Sequence, residues 1–242
     1  MRKPLKMMDD PIITVLLAPI LIFQGAYARF VTPKLPEADG AREGCSGAGK
    51  SLKLLILGDS AAAGVGVANQ QQALLGQLVS KLTPLCALEW RLEAETGSKT
   101  ADIIERLERM DEFTADVVIV SLGVNDVTGN VKLKTWLALQ EQLRSILVLK
   151  FNAKFILLSS IPPMERFTSL PQPLRWYLGR KSKAFNLGLL DQSSRFSDLQ
   201  YVDVNFPMKA GYIAEDGFHP SDMAYNLWSD LVANEIKYKL FT

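Results

Sequence analysis

The chain has 242 residues, 48% hydrophobic and 22% charged, enough for one α/β domain with a sizeable core and a short appendage. Lys and Arg number 27 against 26 Asp and Glu, with no basic stripe, which argues against a nucleic-acid partner. One histidine and two cysteines, Cys45 and Cys86, leave too few ligands for a Cys/His zinc site.

At the N-terminus Arg2, Lys3 and Lys6 precede a run without charge from Pro11 to Ala28, ending in Ala26-Tyr27-Ala28. A basic start, an apolar run and a small-residue end fit a secretory signal. The run also reaches the minimum of ~17 residues for a bilayer-spanning helix, which Pro19 weakens without excluding. A buried core helix is the third reading. It is disfavoured because the following stretch, Val31 to Lys50, is rich in Pro, Gly, Ala and charge and reads as a linker, leaving the helix detached from any core. Asp9 and Asp10, directly before the run, are unusual in a signal. The expectation is therefore a membrane anchor or signal segment over residues 1–29, with a retained anchor preferred, a linker over 30–51 and a globular domain over 52–242. That gives membrane association through residues 11–28 and a membrane-associated or extracytoplasmic location. Whether Cys45 and Cys86 pair stays open, with two unrelated thiols preferred.

From residue 52 the pattern becomes regular. Lys53 to Gly58 (KLLILG) is a continuous apolar run, as in a strand buried on both faces. Asn69 to Leu82 carries Leu74, Leu75, Leu78, Val79 and Leu82 at helical spacing. Ala87 to Ala94 alternates and predicts a strand, Thr100 to Met110 a helix, and Val117 to Gly123 (VVIVSLG) a second buried strand. Helices over 133–150, 178–196 and 221–238 alternate with strands over 154–161 and 199–204. Strands and helices in this alternation imply a parallel five-stranded sheet between two helical layers, with any site beyond the carboxyl ends of the strands.

GCSGAGKS, Gly44 to Ser51, matches the phosphate-loop pattern G-x-x-x-x-G-K-[ST]. A phosphate loop needs a buried strand entering it and a helix leaving it, so that loop amides and the helix N-terminus converge on the phosphates. Here a polar linker enters and a predicted strand leaves. Lys50 falls at the wrong end of that strand, so a nucleotide-binding reading is set aside.

The strand ends hold a second set of residues. The first strand runs into Gly58-Asp59-Ser60, and a serine at a strand-to-helix turn stands at the carboxyl edge of the sheet. Its N–H would lie near a helix N-terminus, where developing negative charge is favoured. Serine needs an adjacent base to act as a nucleophile, and His219 is the one histidine in the chain. Asp216, three residues earlier, is spaced to place its carboxylate on that imidazole. The strand ending at Gly123 delivers Asn125, whose amide can donate to an oxyanion, and the strand before Thr96 delivers Gly97 with an unobstructed N–H. Ordinary turn chemistry explains Gly97 and Asn125 singly. The combination carries the argument.

GDS at Ser60, Gly97, GVND at Asn125 and DGFHPS at His219 resemble, in order and spacing, the four blocks of the SGNH, or GDSL, hydrolases, from about Leu52 to the C-terminus. The resemblance implies a three-layer, flavodoxin-like α/β/α fold and hydrolysis of carboxylic esters through an acyl-enzyme, with no metal or cofactor needed. It implies Ser60 as nucleophile, His219 as base and Asp216 as its orienting acid. The Ser60 and Gly97 N–H groups and the Asn125 side chain would form the oxyanion hole. The G-x-S-x-G elbow of the α/β-hydrolases is absent. The family includes lipases, thioesterases and carbohydrate O-acetyl esterases. Between the fourth strand and the next helix, Pro162 to Lys183 is both apolar and basic, and it should overhang the site as a cap. Phe167, Leu174 and Trp176 are its candidate contacts to the acyl part of a small-molecule or lipid ester.

Overall fold

The computed structural model describes residues 11–111, 113–207, 209 and 211–241, with the side chains of 11–13 and 241 excepted. Arg2, Lys3, Lys6, Asp9 and Asp10 lie outside the described residues. Six strands form one sheet in the order β1-β3-β2-β4-β5-β6. They span Glu43–Ser46 (β1), Ser51–Gly58 (β2), Ala87–Ala94 (β3), Val117–Ser121 (β4), Phe155–Ser159 (β5) and Leu199–Val202 (β6). β2 to β6 are parallel, and β1 pairs antiparallel with β3 at the edge. The parallel part has flavodoxin-like order, with its switch point between β2 and β4.

The continuous apolar runs fill both faces, because successive side chains point to opposite sides of a strand. Leu54 and Ile56 of β2 enter one core with α2 (Leu74–Leu82) and α7 (Asp222–Phe241). Leu55 and Leu57 enter the other, with α3 (Thr100–Arg109), α5 (Leu133–Leu149) and α6 (Leu174–Ser193). All four side chains are fully buried. The three-layer α/β/α expectation holds, with one strand more than the five anticipated.

The extra strand is β1, which lies within the stretch read as a linker. Composition pointed to a linker because an edge strand this short, EGCS, has no apolar face to bury. The segment is stitched to the domain by backbone and side chains. Ala38 and Asp39 donate N–H groups to Ala63 and Ala68, Arg42 Nη1 donates to Ala94 O at 2.7 Å, and Glu37 Oε1 accepts from Thr96 N–H. GCSGAGKS contains most of β1 and leads straight into β2 with no helix after it, and Lys50 Nζ lies 3.5 Å from Leu240 O, so no phosphate cradle is formed. Cys45 is exposed and Cys86 buried, and both are free.

The apolar N-terminal run forms α1 (Pro11–Val31). It is not detached from the core. Leu21 and Ala28 are buried in the same cluster as α6, while Phe23 on another face is 71% exposed. Smaller differences concern boundaries. The helix expected from Asn69 begins at Leu74, α6 begins at Leu174 rather than Leu178, and a short helix α4 (Val124–Thr128) follows β4.

Candidate active site

Ser60 is the second residue beyond β2, in a run of turns from Ser60 to Gly66. The helix expected from Asn69 starts only at Leu74, so Ser60 sits on a tight backbone knuckle rather than near a regular helix N-terminus. Ala63 N–H bonds to Asp59 O, and Val65 N–H to Ser60 O. The Tyr225 hydroxyl, on α7, holds one proton that it shares between the carbonyl oxygens of Ala61 and Val65, both at 2.8 Å. The knuckle is thereby fixed against the closing helix of the fold.

His219 and Asp216 come from the loop before α7. Asp216 Oδ1 accepts the backbone N–H groups of Phe218 and His219 at 2.9 and 3.0 Å, an Asx-type turn that folds the three-residue spacing back on itself. Asp216 Oδ2 accepts the His219 Nδ1 proton. Nε2 is left as the acceptor for the Ser60 hydroxyl, 2.8 Å away. Burial pushes the Asp216 carboxyl up, but the bonds from the His219 ring and the two N–H groups outweigh it and hold the pKa below the ordinary carboxylate value. The imidazole therefore faces an ionised partner, and the chain hydroxyl–imidazole–carboxylate can move a proton off Ser60.

Asn125 lies in α4, just past β4, on the other side of the switch point. Its Nδ2 donates to Ser98 O at 3.1 Å and lies 3.3 Å from Asp59 Oδ2. Gly123, before it, has φ +130°, and a Cβ there would come within 2.6 Å of Ile161 Cδ1, so only glycine lets the chain turn there. Gly97 has φ +88° and faces open space. Ser60, Gly97 and Asn125 line one cavity together with Asp216 and His219. Three strand ends and one loop thus converge as the motif spacing anticipated.

The cap residues divide. Phe167 and Leu174 are buried and line the cavity, with Phe167 packed at 5.5 Å on Phe218 beside His219. Trp176 is a correction. It is 37% exposed, lies outside the cavity wall, and sits under the Arg180 guanidinium at 4.8 Å. Starting α6 at Leu174 puts Trp176 on the outward side of the first helical turn.

Sequence reasoning gave no role to the acidic residues flanking the motifs. Asp59 is buried behind Ser60, and burial, opposed by the Ala61 N–H, raises its pKa to about 6. Asp126 is fully buried, and burial raises its pKa against the hydrogen bonds from Thr100. Its Oδ2 accepts the Thr100 N–H and hydroxyl, and Thr100 Oγ1 in turn accepts from Trp136 Nε1 and Gln140 Nε2. This network ties α3 and α5 to the turn that carries Asn125. The available signal was a carboxylate within five residues of the end of an apolar strand, in GDS and GVND, where desolvation makes charge costly unless hydrogen-bonded.

The fold is a three-layer α/β/α sandwich whose cavity lies at the carboxyl ends of the strands. Residues 56–227, more than half of the chain, match the GDSL-like Lipase/Acylhydrolase family, and the chain belongs to that family. It is a hydrolase acting on ester bonds. No curated protein sequence matches the chain. Among solved structures it shares its fold with TesA, at 22% identity and TM-score 0.60, covering 78% of this chain and 99% of the other. The esterase EstA from Pseudoalteromonas sp., in a form inhibited by monoethylphosphonate, is similar at 22% identity and TM-score 0.56, covering 78% and 99%. The acetylxylan esterase Axe2 from Geobacillus stearothermophilus is similar at 19% identity and TM-score 0.57, covering 78% and 95%.

Proposed function

We propose that this chain is a serine esterase that cleaves acyl esters through Ser60, His219 and Asp216. The observation that carries the reading is the continuous hydrogen-bond chain from the Ser60 hydroxyl through both nitrogens of His219 to the buried Asp216 carboxylate. Ser60 Oγ attacks the acyl carbon as its proton passes to His219 Nε2. The oxyanion is held by the Ser60 and Gly97 N–H groups and the Asn125 amide. The C–O bond to the alcohol breaks, and the alcohol leaves with the proton from His219. Water then adds to the acyl-enzyme by the same route, freeing the acid and restoring the Ser60 hydroxyl. The apolar side of the cavity, with Phe167 and Leu174, supports an acyl chain as the group bound rather than a sugar acetate. α1 supports a retained anchor that places the enzyme at a membrane surface.

The direct test is labelling by a serine-directed alkyl phosphonate followed by peptide mass spectrometry. The reading predicts one adduct, on the peptide bearing Ser60, and none after His219→Ala. An adduct on another serine, or an unlabelled protein, contradicts it.

A further inference from the structure

An anchor that only tethers needs no fixed rotation about its axis and no polar group aimed at the domain. α1 has both features. Gln24, the one amide in its apolar run, uses both ends of its side chain. Nε2 donates to Gln172 O at 2.6 Å, and Oε1 accepts the Leu174 N–H at 3.0 Å. That N–H is one of those the first turn of α6 leaves without an intrahelical partner, so α1 caps the helix of the active-site cap. Leu21 and Ala28 are buried at 8% and 7% exposure, which fixes the same rotation.

With α1 held this way, one of its faces becomes a wall of the catalytic cavity. The cavity has a volume of about 1380 Å³, above the ~300–1,000 Å³ usual for small-molecule sites. It reaches from Ser60 and His219 to Thr14, Ala18, Leu21, Gly25, Ala28 and Thr32. Those six positions recur every three or four residues as a helical stripe, which Ile22, Ala26 and Arg29 widen along one side. At 1.5 Å per residue the stripe is about 27 Å long. It is mostly small, and a Cβ on Gly25 would meet no atom within 4 Å. On the outward side Leu16 and Phe23 are each 71% exposed, an apolar surface that water disfavours and a lipid layer accepts.

We propose that α1 is the outer wall of an acyl-binding groove, and that the substrate is a long-chain ester drawn from the lipid layer that receives the outward face of α1. The ester carbonyl sits at Ser60, and the acyl chain lies along the stripe from Thr32 towards Thr14, moving from lipid to groove without crossing water. This assignment rests on the serine-esterase reading and adds to it the substrate class and the helix that recognises it.

The test uses the full chain in phosphatidylcholine vesicles, with p-nitrophenyl acetate and p-nitrophenyl palmitate as substrates. Gly25→Trp fills the open space on the stripe. It should lower kcat/KM for the palmitate by about tenfold or more, the effect of losing contact with even two methylenes, and leave the acetate within about twofold. Ala18→Trp, two turns nearer the N-terminus, should show the same selectivity. Leu16→Trp, on the outward face, should leave both esters unchanged. Palmitate hydrolysis retained in both stripe variants overturns the proposal. Equal losses on the two esters in both stripe variants also overturn it, because a wall for the chain cannot act on the acetate. Acetate hydrolysis that survives Ser60→Ala overturns the esterase reading itself.

Discussion

Asp216→Asn tests the proton path at its least replaceable point. Asp216 accepts three hydrogen bonds: two backbone N–H groups at Oδ1 and the His219 ring at Oδ2. An asparagine keeps one oxygen, which the two backbone donors, at 2.9 and 3.0 Å, will hold. Its NH2 group then faces His219 Nδ1, where a donor stood. The imidazole must turn a lone pair towards it and carry its proton on Nε2, against the Ser60 hydroxyl. The base is lost while the loop keeps its shape. A carboxylate that fixes this tautomer is worth about 10⁴ in kcat, or roughly 5.4 kcal/mol of barrier. Folding should lose only about 1 kcal/mol, the difference between charge-assisted and neutral bonds, or roughly 2–4 °C in melting temperature for a chain of this size. The assay is kcat at saturating short-chain ester, with the melting curve beside it. A fall in kcat below about tenfold, in a protein that melts as expected, would refute the role given to Asp216.

Three other outcomes follow from the same geometry. Asn125→Ala should lower kcat by about 10²–10³ with little change in KM, the cost of one oxyanion donor, read from steady-state kinetics. Tyr225→Phe removes the proton shared by the Ala61 and Val65 carbonyls, and should cost about 1–3 kcal/mol in denaturant unfolding, with loss of activity following loss of the knuckle. Asp59 carries a raised pKa of about 6, so the folded state holds its proton more tightly than the unfolded chain does. Its contribution is therefore present at low pH and is lost as pH rises from about 4 through 6, roughly 3 kcal/mol across the window. Asp59→Asn should gain stability relative to the parent over that rise, and a difference that is flat with pH would contradict the assignment. Taking the difference removes the opposite trend from Asp216, whose lowered pKa costs stability as pH falls.

The parallel sheet was legible because β2, β4 and β5 are buried on both faces and so read as unbroken apolar runs. The residues that meet in the cavity were legible for a related reason: each follows a strand end or sits in the one histidine-bearing loop, and strand ends in such a sheet converge. What escaped was structure held by backbone pairing or by long-range polar contacts. β1 has no apolar pattern, because its only partner is the β3 edge. Trp176 was misplaced because its direction depends on where α6 starts, and helix boundaries are weakly encoded. Asp126 and Thr100 are 26 residues apart and meet only when α3 and α4 pack, so their bond has no local signature. α1 was read as detached from the core because nothing in an apolar run reveals which of its faces meets the protein, and Gln24 is its one amide.

The central claim is that Ser60 is the nucleophile, and the most direct measurement is hydrolysis of p-nitrophenyl acetate by the full chain beside Ser60→Ala and His219→Ala. The account predicts that both variants fall to the background rate while melting at the parent temperature. Activity that survives Ser60→Ala would contradict it.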